Sequence, residues 1–437
     1  MLPSLSRREF LGSAATAGLA LGLPAASAAE NRKPSPVAPG TQSAAEWPIS
    51  DGREETALLE VLRSGKWGRT SGGARVKDFE ALFAKRMEAK YCVATSSGTT
   101  ALLSSLGALN VGPGDEVILP PYTFVATFNA ITASYALPVF VDSDLTTFQI
   151  DDKKMEAAIT PATKLLLPVH IGGSTCDLDA IAAIAQRRGV TLLEDACQAP
   201  LAEWRGRPVG THGIGGCFSF QASKNLTSGE GGAILTNDEP FANLCYDFHT
   251  PGGAKKSMSS GRGANYRLTE FQAALLSAQY TRLEAQAKTR DTNAAYLTSL
   301  LEKIPGIAPA KLTSGNNRSA WHLYMLRYDP AKFSGLPRAK FLAALAKAGV
   351  AASSGYTSLN TSVHVKALAT NPHYRRIYGE TVMSRWLERS ACPVNDRLVE
   401  EAVWLGQTKL LAARSEMERI AEAVVDIQKR SGDLARV

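Results

Sequence analysis

From Ile49 onward, apolar positions along the chain follow two alternating patterns. In "REETALLEVLRSGKWG" and "VKDFEALFAKRMEAK" they recur every three or four residues, the spacing of an amphipathic helix. The second segment sets Phe79, Leu82, Phe83 and Met87 on one face. Short unbroken apolar runs then alternate with further helical segments. "YCVATSS" reads as a strand, and "SGTTALLSSLGAL" as a turn that opens a helix. "DEVILP", "LPVFVD", "TKLLLPVHI" and "VTLLEDA" read as strands. Helices are predicted between them in "TFVATFNAITAS", over 153–159 and in "DLDAIAAIAQRRG". "GCFSFQ" and "GGAILTND" add two more short strands. Strands that are apolar throughout are covered on both faces, so this order predicts an α/β fold with a mixed, mostly parallel sheet between helical layers.

A long helical segment runs from about Thr269 to Lys303 and is broken by "IPGIAPAKLTSGNNRSA". The break marks a boundary between a large domain over 46–303 and a smaller C-terminal α+β domain over 304–437. The smaller part holds a strand, "WHLYMLRYD", and two helices, "PRAKFLAALAKAG" and "SEMERIAEAVVDIQKR". No internal repeat is present.

Ahead of Ile49 the composition changes. Residues 29–45, "AENRKPSPVAPGTQSAA", are rich in Pro, Ser and Ala and read as a disordered lead-in. Residues 1–28 carry paired Arg7 and Arg8, then a weakly apolar Ala/Leu/Gly stretch from Phe10 to about Leu23. "ASA" at Ala26 to Ala28 sets an expected cut before Ala29. This is the pattern of a twin-arginine signal, a route that carries folded proteins, so a periplasmic location is expected, or a cytoplasmic one if the signal is not used. No later segment has 18 or more uninterrupted apolar residues, so no stable membrane span is expected after processing. The net charge of +7 comes from dispersed Lys and Arg, which argues against nucleic acid as a partner. The six cysteines form no C-x-x-C pair and no metal-ligand spacing. They read as small buried hydrophobes, and no metal site is expected.

Three stretches lie where strands are predicted to end, the place where open α/β sheets bind ligands. "TSSGTTALL", Thr95 to Leu103, opens a helix with free N–H groups that suit a phosphate; an ordinary helix cap reads the same way. "LLEDACQAP", Leu192 to Pro200, puts Asp195 at the end of an apolar run, with Gln198 three residues on; a capping aspartate is the alternative. "FSFQASKNLTSGEGG", Phe218 to Gly232, holds Lys224 among small residues and lacks the phosphate-loop spacing; a solvated loop lysine is the alternative. No dinucleotide fingerprint follows a strand, which disfavours a nicotinamide oxidoreductase. Taken together, a phosphate cradle, an acid and a lysine suit pyridoxal 5'-phosphate. Lysine forms a Schiff base with its aldehyde, and an acid keeps its ring nitrogen protonated.

In order along the chain, "SSGTTAL", "PPYTFVATFNAI", "PVFVD", "LLPVHIGG", "EDACQAP", "FSFQASKNLTSGEGGAI" and "NYRLTEFQAA" resemble the DegT/StrS-type aminotransferases. The resemblance runs from about Trp47 to the C-terminus and implies fold type I of the pyridoxal phosphate-dependent transferases. It implies Lys224 as the Schiff-base lysine and proton carrier, Asp195 against the pyridine nitrogen, and Gln198 on the ring hydroxyl. Gly98, Thr99, Thr100 and Ser219 would hold the phosphate, and Phe124 would stack on the ring. Asn265 would reach the phosphate of the neighbouring subunit, which implies a homodimer with shared sites. His170, Tyr266, Arg267 and His322 are further candidates for the pocket, with structural hydrogen bonds and packing as the alternative.

The implied reaction passes an amino group from glutamate or glutamine to a keto-sugar or keto-cyclitol. Lysine at position 224 favours transamination over the dehydration that relatives with histidine there carry out. A pyridoxal phosphate dehydratase or synthase, and a cofactor-binding sensor without turnover, are the other readings. Two segments depart from the family pattern on the acceptor side: "GYTSLNTSVHV" from Gly355, and "WLGQ" at Trp404 to Gln407.

Overall fold

The wholly apolar runs become the strands of a central sheet. A computed structural model of the protein describes residues 47–251 and 261–436. Its strands are β1 (Tyr91–Thr95), β2 (Glu116–Leu119), β3 (Leu137–Phe140), β4 (Thr163–Leu166) and β5 (Thr191–Asp195). A small hairpin follows, β6 (Glu203–Trp204) and β7 (Arg207–Pro208), then β8 (Gly215–Ser219) and β9 (Gly232–Thr236). Seven of these make one sheet in the order β1-β9-β8-β5-β4-β2-β3. Strand β9 is antiparallel to both neighbours, and all the others run the same way. This is the mixed, mostly parallel sheet that the apolar runs predict.

Alternation along the strands sorts side chains into separate cores on the two faces. Val117, Leu165, Leu193 and Ile234 pack with Leu102 and Leu106 of helix Gly98–Ala108 and with Phe128 and Ile131 of helix Val125–Ala133. Their neighbours Ile118, Leu166 and Leu192 meet Met155, Ile181 and Ile184 on the other side. Phe79, Phe83 and Met87 of the predicted face lie in a further core with Ala94, Phe218 and Leu235, joined by Val76, while Leu82 is only half-buried.

Helix Glu270–Leu301 ties these cores to the C-terminal part. It opens with a capping box between Thr269 and Gln272 and runs for 32 residues. Ala273, Leu276, Leu283 and Ala287 belong to the core around Phe79. Ala294, Leu297 and Leu301 belong to a core built on β10 (Ile307–Pro309), β12 (Leu323–Tyr328) and β13 (Ala402–Gly406). These three strands form an antiparallel sheet, β10-β12-β13, while β11 (Asn316–Arg318) pairs with β6. Helices Arg338–Lys347 and Arg414–Lys429 pack on the small sheet.

Residues between Leu359 and Cys392 return to the large sheet. Leu359, Val365, Leu368, Tyr374, Met383 and Trp386 join the core of Val117 and Leu193. The chain therefore crosses the boundary expected at 304 more than once. Its helices there, Val363–Ala369, Pro372–Tyr378 and Glu380–Arg389, span seven to ten residues each. That is too short for a helical period to stand out. The expected signal over 1–28 and lead-in over 29–45 lie outside the described residues. Among the described residues no helix is long and apolar enough to cross a membrane, and all six cysteines are free thiols.

His249 ends helix Glu239–His249, fully buried with Nδ1 2.8 Å from Tyr246 C=O. Burial, then the positive field of Arg69, pushes its imidazole down from 6.5 to about 4. The unfolded chain therefore takes up a proton at a pH where the folded chain does not, so stability falls as pH drops from about 6.5 to about 4. For this residue alone the loss between pH 7 and pH 5 is about 2 kcal/mol. Denaturant unfolding at the two pH values should show a smaller difference for His249→Gln than for wild type. An equal difference would refute the assignment.

Candidate active site

Strand β1 ends at Thr95, and the chain turns directly into helix Gly98–Ala108. Ser97 caps the helix: its Oγ accepts from Thr100 N–H at 3.1 Å, and Thr100 Oγ1 accepts from Ser97 N–H at 2.9 Å. Ala101 N–H donates to Ser97 C=O. Gly98 and Thr99 line a cavity, and as first-turn residues their N–H groups have no acceptor within the helix. They stand at the positive end of the helix dipole. A Cβ at position 98 would lie 2.7 Å from Ser219 Cβ and 2.9 Å from Cys197 Sγ, so only glycine lets the helix start settle on the ends of β8 and β5. Gly232 serves the same approach from β9, where a Cβ would lie 2.3 Å from Ser97 C=O.

Asp195 is the last residue of β5 and is 3% exposed. Its Oδ2 accepts from Thr127 Oγ1 at 2.9 Å and its Oδ1 from Cys197 N–H at 3.2 Å. The backbone is held too, with Asp195 N–H on Pro168 C=O and His170 N–H on Asp195 C=O. Strand alternation sends the preceding Glu194 to the opposite face. There its carboxylate accepts from His170 Nε2 at 3.0 Å and from the N–H groups of Gly210, His212 and Gly213. Burial works to raise this carboxyl, but the bonds and charge of His170, His212 and Gly210 hold it below its ordinary value.

Lys224 sits in the loop between β8 and β9. Phe220 N–H donates to Gly231 C=O, and Ser228 N–H and Thr227 Oγ1 donate to Phe220 C=O, which closes the loop on itself. The Lys224 side chain is half-buried, with Nζ 3.5 Å from His322 Nε2. Asn225 Nδ2 donates to Ala320 C=O at 2.6 Å, which turns Asn225 Oδ1 toward His322 Nδ1 at 3.3 Å. That acceptor assigns the ring proton to Nδ1 and leaves the Nε2 lone pair facing the lysine. Burial, then the charges of Lys224 and Arg290, keeps His322 well below its ordinary range and so neutral. Burial also lowers the Lys224 ammonium, and Cys197 and Asp195 oppose this without reversing it. A lysine that gives up its proton more readily is a better nucleophile.

One cavity of about 780 Å³ gathers Gly98, Thr99, Phe124, Asp195, Gln198, Ser219, Lys224 and His322. Other candidates lie elsewhere. The Thr100 hydroxyl and N–H are both engaged with Ser97, so it does not reach the cavity. His170 is fully buried behind the strand on Glu194. Tyr266 C=O accepts from Ser96 N–H, and Arg267 bridges Thr95, which puts both beside β1 and off the cavity wall. Asn265 is exposed and lies off this chain's own cavity. Gln198 lines the cavity, but its Oε1 takes Gly172 N–H at 2.7 Å and its Nε2 donates to Tyr356 Oη at 2.8 Å.

Thr127, Cys197, Tyr356, Trp404 and Gln407 also line the cavity, and none of them is a site candidate from sequence. Thr127 follows Phe124 by three residues, one helical turn, and that spacing was the available signal. Tyr356, Trp404 and Gln407 come from the two segments that depart from the family pattern. Only the fold brings these distant segments to the wall.

Pyridoxal phosphate fits this set. The side-chain-free helix start offers N–H donors for a phosphate, Asp195 a held anion for a ring nitrogen, and Lys224 an amine of lowered basicity. Among the described residues, no group of three His, Cys, Asp or Glu side chains could hold a metal ion.

A family model described as the DegT/DnrJ/EryC1/StrS aminotransferase family matches residues 48–425. The spore coat polysaccharide biosynthesis protein SpsC of Bacillus subtilis is 38% identical over 340 residues, covering 75% of this chain and 84% of that protein. An L-glutamine:2-deoxy-scyllo-inosose aminotransferase of Streptomyces kanamyceticus is 35% identical over 415 residues, covering 89% of this chain and 95% of that one. Among solved structures, 3-amino-5-hydroxybenzoic acid synthase superposes with a TM-score of 0.76 at 33% identity, covering 88% of this chain and 98% of that one.

Proposed function

The chain belongs to the DegT/DnrJ/EryC1/StrS aminotransferase family, and on that premise we propose how it passes an amino group from glutamate or glutamine to a keto-sugar or keto-cyclitol. The observation that carries the reading is the meeting of Lys224, Asp195 and the bare helix start at Gly98 on one cavity. When bound, pyridoxal phosphate supplies an aldehyde for covalent attachment and an electron-poor ring that makes a neighbouring C–H acidic. Lys224 provides the amine for attachment and, once released, takes and returns the proton at Nζ, with the His322 lone pair steering it. Asp195 favours a protonated nitrogen placed against it, and Thr127 and Cys197 N–H keep its oxygens in place. Gly98 and Thr99 N–H, with Ser219 Oγ, would hold the phosphate, and Phe124 would cover the ring.

Trp404 and Tyr356 stand edge-on to each other at 4.5 Å and present apolar surface on the acceptor side. Among the described residues, Lys224 is the one Lys or Arg on the cavity wall. A neutral polyhydroxy ring suits that apolar surface, and the relative named for 2-deoxy-scyllo-inosose supports it. The pyridoxal phosphate-loaded protein should be yellow, should be fixed by borohydride, and should lose its band on adding L-glutamine or L-glutamate. Lys224→Ala should abolish the band and the fixation. A wild-type protein that stays colourless with the cofactor supplied would sink the proposal.

The active unit is a homodimer in which Asn265 completes the site of the other subunit. Its support is that Asn265 is exposed, yet adjoins Tyr266, whose C=O bonds Ser96 beside the helix start. Mixing inactive Lys224→Ala with impaired Asn265→Ala subunits should restore activity, because each hybrid dimer keeps one intact site. No recovery in verified hybrids would remove the shared-site assignment.

Export by the twin-arginine route is supported by Arg7, Arg8 and the weakly apolar stretch after them. Changing both arginines to lysine should shift the protein from periplasm to cytoplasm in a fractionation experiment. An unchanged distribution would rule the route out.

A further inference from the structure

Arg290 lies where helix Glu270–Leu301 passes from one core to the next, between Ala287 and Ala294. It is fully buried and, among the described residues, has no carboxylate partner. The adjacent Asp291 is committed elsewhere, to Trp321 Nε1 at 2.8 Å and Arg318 at 3.4 Å. The Arg290 guanidinium donates from Nε, at 3.0 Å, and from Nη2 to a single acceptor, Gln407 Oε1, and lies 5.7 Å from the Trp47 ring. Its Nη1 has no partner among the described residues. A buried charge left in this state is costly, and burial pushes this guanidinium down to about 9.

Gln407 is on the cavity wall, 3% exposed, and its Nε2 also has no partner. Arg290 holds the amide oxygen with two donors from one edge of its guanidinium, which settles the amide orientation and turns the Nε2 hydrogens away from the cation. Gln407 N–H donates to His322 C=O at 3.1 Å, and the His322 ring reaches Lys224 Nζ. The unmet Gln407 donor therefore lies on the wall next to His322, which reaches the reactive lysine, and the Arg290 charge stands directly behind it. The phosphate has its own donors at Gly98 and Thr99, and a neutral ring has no need of a cation. A carboxylate needs both a cation and several planar N–H donors.

We infer that Arg290 and Gln407 form the subsite for the α-carboxylate of the amino donor. The donor carries this group on the same carbon as its amine, so anchoring it beside His322 presents the amine to the Lys224 side of the cavity. Glycosyl or cyclitol acceptors lack the group, so the pair separates donor from acceptor in a shared cavity.

The inference rests on the aminotransferase reading, and the test keeps the two apart. Cofactor-loaded protein is followed through the donor half-reaction alone, by loss of the visible band. The probes are L-glutamine and 4-aminobutanamide, which is glutamine without its α-carboxylate. Gln407→Glu keeps the side-chain size and gives Arg290 an internal anion, so its melting temperature should not fall below that of wild type. The apparent Kd for L-glutamine, from the dependence of the band's decay rate on its concentration, should rise by roughly 30-fold or more, as for loss of one partner of a buried charged contact. The limiting rate constant at saturating L-glutamine should stay within about threefold. The preference for L-glutamine over 4-aminobutanamide should shrink by a similar factor, a change that a merely structural role for Gln407 would not produce. Arg290→Lys, which keeps the charge and loses the fork, should move both quantities the same way. Undiminished preference in folded Gln407→Glu overturns the inference and leaves the aminotransferase reading standing. A wild-type band that no amino donor removes overturns both.

Discussion

A helix start pressed against three strand ends, with glycine at the points of contact, is the packing on which the site depends. Gly98 and Gly232 remove the atoms that would hold the helix off β8, β5 and β9. The Ser97–Thr100 box then directs the first-turn N–H groups. The cap uses the Thr100 hydroxyl and leaves Gly98 and Thr99 as donors, so one residue of "SGTT" gives up a ligand role to define it for its neighbours. Shift the helix outward by the radius of a methyl group, and Ser219, Cys197 and the donors no longer share a wall.

Strand alternation accounts for the second feature, two adjacent carboxylates with different work. Glu194 and Asp195 are both buried, on opposite faces of β5. Glu194 is closed off by four donors and braces His170 and the turn at Gly210. Asp195 has one donor on each oxygen and keeps acceptor capacity toward the cavity. Lys224 is placed by longer links: Asn225 is fixed by Ala320, His322 by Asn225, and the lysine by His322. A basic group buried by a neutral histidine loses basicity, which suits a nucleophile and proton carrier.

Much of the fold was legible because its strands are buried throughout and read as unbroken apolar runs. Most helices of eleven residues or more were legible for a similar reason, since several turns of periodic spacing accumulate in them, although Glu239–His249 was not. The short helices between Val363 and Arg389 were not, and neither was their return to the large sheet. Their apolar residues are too few per helix to display a period, and their destination is a long-range contact. At the site, Lys224, Asp195 and Gly98 could be read from strand-end position and residue type. His170 shows the limit, because a buried histidine one strand from the site reads in sequence like one on its wall.

The sequence by itself determined the kind of chemistry. An acid and a lysine at predicted strand ends, and a Ser-Gly-Thr helix opening, are local features whose meaning survives without coordinates. Tertiary structure alone decided which atoms remain free to act. It engaged Thr100 in a cap and Gln198 with Tyr356, and it left Arg290 and Gln407 with donors unmet. Local propensity places a residue in an element. Hydrogen-bond capacity, by contrast, is shared among partners distant in sequence, and only the folded chain shows what is left over.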